Sequence, residues 1–186
     1  MNPASNLFLV GPMGAGKSTV GRRIAHALGL RFVDLDRVIE EEAGSSIALI
    51  FEMQGEAAFR VRESETLARL VAQDGIVLAT GGGSVLAEGN RRLLRERGYV
   101  LWLEAPVELQ LERLARDRTR PLLRAPDRAR RLHDLAQVRD PIYRELADLT
   151  IAADRAGPGA TARRALIALE RCWQRSERSP ETSDER

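Results

Sequence analysis

The sequence predicts an α/β protein built on a parallel sheet, and three observations carry that prediction. Asn6-Leu-Phe-Leu-Val10 is a short apolar strand. It runs directly into Gly11-Pro-Met-Gly-Ala-Gly-Lys-Ser-Thr19, after which Val20, Ile24, Ala27 and Leu28 fall at helical spacing. Gly75-Ile-Val-Leu-Ala-Thr80 is a continuous apolar run, the pattern of a parallel strand buried on both faces. Strand and helix patterns then alternate toward the C-terminus, as they do when crossover helices join parallel strands.

Gly11 to Thr19 is the stretch on which the rest depends. It fits G-x-x-x-x-G-K-[ST], with Gly11, Gly16, Lys17 and Ser18 in the fixed places. A strand before it and a helix after it give the context in which such a loop binds phosphate: glycines let the loop curl so that its backbone N–H groups turn toward an anion, and the helix start adds its partial positive charge. Lys17 is placed to reach the β- and γ-phosphates of a nucleotide, and the Ser18 hydroxyl to bind Mg²⁺. Lys17 is also the only lysine among 29 basic residues. It stands where a compact, flexible point charge suits phosphates better than a planar guanidinium fork does. The loop is not a G-x-G-x-x-G dinucleotide fingerprint, which argues against a nicotinamide enzyme.

At 186 residues the chain suits one domain, expected at 1–175, with a substantial core. It has no secretory leader pattern and no apolar run near 18 residues, so the expectation is a cytoplasmic protein that does not engage a membrane. Its single cysteine, Cys172, excludes an internal disulfide and reads as a small apolar residue of a late helix. The net charge is +2 and aromatic residues make up only 4%, with no interleaved basic and aromatic patch, so no nucleic-acid partner is expected.

The first helix is expected from Lys17 to about Leu30, with Gly29 as its stop signal. Phe32-Val-Asp-Leu-Asp36 reads as a second strand whose period of two places Asp34 and Asp36 on one side, at the carboxyl end where ligands of open α/β sheets bind. The alternative for either aspartate is a cap on the next helix. Ser46–Phe51 and Glu56–Val71 read as two helices around a turn at Gln54-Gly55, forming a helical insert of about 37–73. Arg60 and Arg62 lie on different faces of the second, so one can face a pocket while the other pairs with a surface acid. Gly81-Gly82-Gly83 ends the third strand and suits a place where a ligand approaches bare backbone.

A helix over 87–97, a strand over 99–103 and a helix from Val107 to about Arg116 follow, the last opened by Pro106. Arg113, Arg116, Arg118, Arg120 and Arg124 crowd a polar stretch, and charges so dense suit a lid over about 114–126 that closes on phosphate. Asp127–Glu145 is helical, 149–151 a fifth strand, Gly157-Pro-Gly159 a turn, and Thr161 to about Gln174 the last helix. Residues 176–186 are polar, without apolar periodicity, and are expected to be disordered. His26 and His133 read as surface residues.

Taken together, Gly11–Thr19, Asp34-Leu-Asp36, Ile50-Phe-Glu with Gly55-Glu56, Phe59-Arg-x-Arg-Glu63, Ala79-Thr-Gly-Gly-Gly83, Arg120-Pro-Leu-Leu123 and Arg139-Asp-Pro-Ile-Tyr143 resemble the bacterial shikimate kinases, over essentially all of Leu7–Trp173. The resemblance implies a P-loop kinase three-layer sandwich with a five-stranded parallel sheet in the order 2-3-1-4-5. It implies ATP-dependent phosphorylation of the 3-hydroxyl of shikimate, one Mg²⁺ ion, and a monomer. By position it makes Gly14, Ala15, Gly16, Lys17, Ser18 and Thr19 the residues that hold the nucleotide phosphates, Asp34 the metal-site carboxylate beside Ser18, and Asp36 the contact to shikimate hydroxyls. Arg60 and Arg139 would hold the shikimate carboxylate, Gly82 the ring hydroxyls through backbone, and Arg120 the nucleotide, with Arg113 a second arginine there. The family often carries a polar or basic residue on adenine after the fifth strand. This chain has Ala156 at that place, with Arg155 one step earlier.

Chemistry independent of the resemblance agrees. Phosphoryl transfer needs mainly positioning and charge neutralisation, and two arginines outside the phosphate loop ask for an anionic acceptor whose carboxylate matches the guanidinium fork. With neither histidine well placed, the general base is a carboxylate or there is none, and Asp36 is the candidate. A gluconate-type P-loop kinase and a non-catalytic nucleotide-binding switch are the competing readings. The glycine triplet and the Phe59-Arg60 segment argue against the first. Against a GTPase form of the second, a guanine-reading N-K-x-D segment would need another lysine.

Overall fold

A computed structural model of the chain describes residues 5–115 and 127–174. Five strands, β1 (Leu7–Val10), β2 (Arg31–Asp34), β3 (Ile76–Ala79), β4 (Tyr99–Glu104) and β5 (Leu149–Ala152), form one parallel sheet in the order β2-β3-β1-β4-β5. The sheet order is the expected one. Helices α1 (Lys17–Leu28), α2 (Leu35–Ala43), α3 (Ile47–Val71), α4 (Glu88–Arg97), α5 (Val107–Leu114), α6 (Arg128–Leu146) and α7 (Gly157–Cys172) connect and cover it, with a 3₁₀ turn at Ser84–Leu86.

The period-two alternation of β1 divides the molecule into its layers. Phe8 and Val10 face one core with Leu78, Val100 and Trp102, covered by Leu35 and Ile39 of α2, Phe59 and Leu67 of α3, Leu94 of α4 and Tyr143 of α6. Leu7 and Leu9 face the other, with Leu101, Val20 and Ile24 of α1, and Ala165 and Leu169 of α7. Both faces of β1 are fully buried, which is why its sequence is a run and not an alternation. Asn6 fixes the opposite end of the sheet: its side chain donates to the Gln73 and Arg97 carbonyls and accepts from the Ile76 N–H. A smaller cluster, Met13, Val107, Leu114 and Leu132, packs α5 and α6 against the glycine loop.

Three expectations change. The second strand stops at Asp34. Leu35 and Ile39 are fully buried four residues apart, so helical spacing prevails from Leu35 onward and Asp36 lies in the first turn of α2. The last helix begins at Gly157 and not at Thr161, because Pro158 occupies the first turn, where a missing N–H costs nothing. Cys172 lies on the last helix as expected, at its end, and is exposed. Of Arg60 and Arg62, Arg60 does both jobs: it stands against Gly83 and pairs with a surface acid, Glu56. The expected break at Gly55 is present as a kink within α3, with φ 79° and ψ 170°. His26 and His133 are exposed. No helix among the described residues is long and apolar enough to cross a membrane. Most of the expected lid and the expected disordered tail lie outside the described residues.

Candidate functional site

β1 is the central strand, and its carboxyl end leads straight into the glycine loop. Gly11 has φ 137°, and a Cβ there would collide with the Leu103 carbonyl of β4, so both conformation and space demand glycine. Gly16 caps α1 in the left-handed region, φ 93°. The Lys17 ammonium folds back over the loop and donates to the carbonyls of Gly11 (2.7 Å) and Pro12 (2.8 Å). Those bonds direct two carbonyls at a cation. Ser18 and Thr19 follow in the first turn of α1.

Arg113, on α5, braces this loop from behind. One terminal nitrogen donates to the carbonyls of Gly14 (2.9 Å) and Ala15 (3.0 Å), and the other to the Asp154 carbonyl beyond β5 (2.9 Å). The guanidinium thus joins the glycine loop to the segment that follows the fifth strand. Arg155 in that segment is exposed and paired with Glu112, which holds the Glu112 carboxyl below its ordinary range and the arginine above its own.

The second group of residues gathers around the glycine triplet. β2 and β3 are level at their carboxyl ends, Asp34 opposite Ala79, so Asp34, Asp36 and Gly81–Gly83 share one rim of the sheet. A Cβ on Gly81 would stand 2.7 Å from Glu63 Oε1, 2.9 Å from Asp36 Oδ1 and 3.1 Å from Ser84 Oγ. A Cβ on Gly83 would stand 2.5 Å from both terminal nitrogens of Arg60. Neither glycine has a positive φ. They are glycines because the protein's own polar side chains close on their backbone, a reason the sequence did not disclose.

Glu63 is 1% exposed and accepts from Arg60 (2.7 Å) and from the Ser84 hydroxyl (2.6 Å). Arg60 also donates to Glu56 (3.0 Å) and lies over the Phe59 ring. Burial works against the charge of Arg60, but Glu63 and Glu56 outweigh it and hold the guanidinium above its ordinary value. Arg139 is 6% exposed, and its Nη1 lies 3.6 Å from where a Gly82 Cβ would be. Burial, then repulsion from Arg60, pushes its guanidinium below its ordinary value. Arg139 Nε is buried with no hydrogen-bond partner among the described residues. Two guanidinium groups that repel each other across a bare backbone, one with an unmatched donor, make a receptor for a small anion.

The structure therefore brings Asp36, Arg60, Arg139 and Gly81, Gly82 and Gly83 together, and sets Lys17, Ser18, Thr19 and Arg113 around the glycine loop. Arg120 lies outside the described residues. Glu63, Glu56, Ser84 and Tyr143 complete the site and were not singled out as site residues from sequence. For the two glutamates a signal existed: they stand four before and three after Arg60 on one helix, the spacings at which side chains meet.

Among the described residues no cluster of three or more His, Cys, Asp or Glu is arranged to hold a metal by protein ligands alone. The available set is the Ser18 hydroxyl and the Asp34 carboxylate, two hard oxygen donors. That suits Mg²⁺, which usually takes one or two protein oxygens and completes its shell with phosphate and water.

The family model described as shikimate kinase matches residues 13–170. A shikimate kinase of Stenotrophomonas maltophilia (strain K279a) is 52% identical over 180 residues, 97% of this chain and 100% of the relative. One of Xanthomonas campestris pv. campestris (strain 8004) is 51% identical over 176 residues, 95% of this chain and 98% of the relative. Among solved structures, shikimate kinase from Acinetobacter baumannii in complex with shikimate superposes with a TM-score of 0.88 at 45% identity, covering 91% of this chain and 95% of that one. With its sheet order, its phosphate loop and its paired arginines already accounted for, the chain belongs to the shikimate kinase family.

Proposed function

We propose that the protein transfers the γ-phosphoryl group of ATP to the 3-hydroxyl of shikimate, giving shikimate 3-phosphate and ADP on the chorismate route to aromatic amino acids. The observation that carries this reading is the pair Arg60 and Arg139 on either side of Gly81–Gly83, with Asp36 against Gly81. The pair matches a carboxylate, and Asp36 reaches a ring hydroxyl.

In this reading the backbone from Gly14 to Thr19 holds the nucleotide phosphates, and Lys17 leaves the Gly11 and Pro12 carbonyls to neutralise the β- and γ-oxygens. Arg113 keeps the loop in shape by its grip on the Gly14 and Ala15 carbonyls. Arg120 adds charge from the lid, and Arg155 borders the nucleotide. Ser18 and Asp34 would hold one Mg²⁺, which when bound spreads the charge developing on the transferring phosphoryl group. Asp36 accepts a hydrogen bond from the acceptor hydroxyl and holds it in line, taking its proton as the bond to phosphorus forms. α2 and the kinked α3 serve as the substrate-binding insert, about 37–73, of one domain over 1–175. The protein acts as a cytoplasmic monomer.

A coupled assay for ADP release tests the reading. ADP should appear from ATP only when shikimate is present, and equal turnover with gluconate or a nucleoside monophosphate would overturn it.

A further inference from the structure

We infer that Tyr143 is a positioning residue for the acceptor: its hydroxyl pins the Gly82 carbonyl and so sets the direction in which the glycine triplet offers its backbone donors. The inference rests on the shikimate reading of the site.

Three consecutive glycines are the least constrained backbone a chain can have, yet a backbone that recognises a small rigid ring must be held in one orientation before the ring arrives. The structure supplies a tether for each carbonyl. The Gly81 carbonyl accepts from the Ser84 N–H at 3.2 Å, and the Gly83 carbonyl from the Leu86 N–H at 3.0 Å, both within the 3₁₀ turn that follows. The Gly82 carbonyl, between them, accepts from the Tyr143 hydroxyl at 2.5 Å, across 61 residues of sequence. Two tethers are local turn bonds. The third comes from α6, the helix that also carries Arg139.

A peptide unit is planar, so fixing the Gly82 carbonyl fixes the opposed Gly83 N–H in the same plane. The tyrosine is itself immobile: it is fully buried, and its ring stacks on Trp102 at 5.9 Å between centroids. The Arg139 guanidinium interacts with the same hydroxyl, and lies beside Gly82. One helix, α6, therefore carries both the tether of the backbone that faces the ring and the arginine that faces its carboxylate. Burial raises the Tyr143 hydroxyl above its ordinary value, against the pull of Arg139, and so keeps it protonated as the donor to Gly82. The group takes no part in proton transfer to ATP or shikimate.

Tyr143→Phe removes the hydroxyl and keeps the ring that stacks on Trp102. In the full-length protein the KM for shikimate, and the Kd for shikimate by calorimetry, should rise roughly tenfold, the size of one well-placed hydrogen bond, with the KM for ATP within twofold of wild type. Unchanged shikimate constants, or equal losses for both substrates, would overturn the inference. A second measurement needs no mutation at the site. The chain has two tyrosines, so ring-labelled protein compared with its Tyr99→Phe variant assigns the Tyr143 hydroxyl proton by NMR. That resonance should be protected from exchange and should shift on adding shikimate but not on adding ADP; no shift with shikimate would also overturn it. Wild-type turnover with shikimate, run in parallel, separates the two failures. If it is absent, the reading of the site fails; if it is present while both Tyr143 measurements are flat, only this inference does.

Discussion

At the scale of single residues, the site is a set of charges kept close together by the absence of side chains between them. Asp36, Glu63 and Ser84 converge on Gly81, and Arg60 on Gly83, at distances that leave no room for a methyl group. Gly83→Ala should therefore act mainly on Arg60. The far end of that side chain is flexible and can swing away, so the fold survives with a modest loss of melting temperature. The KM for shikimate should rise several-fold as the Arg60–Glu63 bond at 2.7 Å is lost, with the KM for ATP unchanged; steady-state kinetics in both substrates checks this. Asp36→Asn keeps the size and one oxygen acceptor but removes the proton acceptor. Its kcat should fall by about 10² to 10⁴ while ATP affinity, measured by calorimetry, survives. Near wild-type turnover would remove Asp36 from the chemistry.

At the scale of elements, the strands and the glycine loop could be read from the sequence because their causes are local. A run of apolar residues makes a doubly buried strand, and the fixed glycines of Gly11–Ser18 are needed by the loop itself. What could not be read depends on contacts between distant segments. Asp36 was assigned to a strand by alternation, but the buried pair Leu35 and Ile39 decides for helix. Arg113 reads as a candidate for the nucleotide, and its bonds to the glycine loop run to backbone across 98 and 99 residues of sequence, which no periodicity encodes. Tyr143 is visible in the sequence only as the end of the Arg139–Tyr143 segment that carries part of the resemblance, its partner being a carbonyl 61 residues away. The kink in α3 was foreseen from Gly55 and has an energetic signature. At φ 79° and ψ 170° an alanine is strained, a cost of order 1–3 kcal/mol. Gly55→Ala should lower the melting temperature by about 2–4 °C for each kcal/mol in a chain of this size, read by thermal unfolding. It should also raise the KM for shikimate, since Arg60 and Glu63 lie on the limb beyond the kink.

At the scale of the whole molecule, stability depends on pH through groups that folding perturbs. Asp140, beside Arg139 on α6, is pushed above the usual carboxylate range, first by burial and then by Glu104, with Arg144 pulling the other way. A carboxyl whose folded value is raised favours the fold when protonated. Its contribution is complete below the unfolded value, about 3.9, and is lost as pH rises through the folded value. Asp140→Asn should accordingly melt higher than wild type near pH 7, with the difference vanishing near pH 3; circular dichroism melts across that range check the sign. Glu42 is perturbed the other way, lowered chiefly by its hydrogen bond to Arg69. What it adds is present above its unfolded value and fades as pH falls, but it is an exposed pair and salt should weaken it.

The solitary lysine has a consequence for the protein's covalent chemistry. With Lys17 the only lysine, an acylating reagent meets one side-chain amine in the whole chain, and that amine is folded onto the Gly11 and Pro12 carbonyls of the phosphate loop. Every lysine-directed modification is thus a modification of the nucleotide site. The mass added at Lys17, told apart by peptide mapping from any on the α-amine, would report on the state of that loop, nucleotide would compete with it, and arginine's inertness leaves the remaining basic side chains silent.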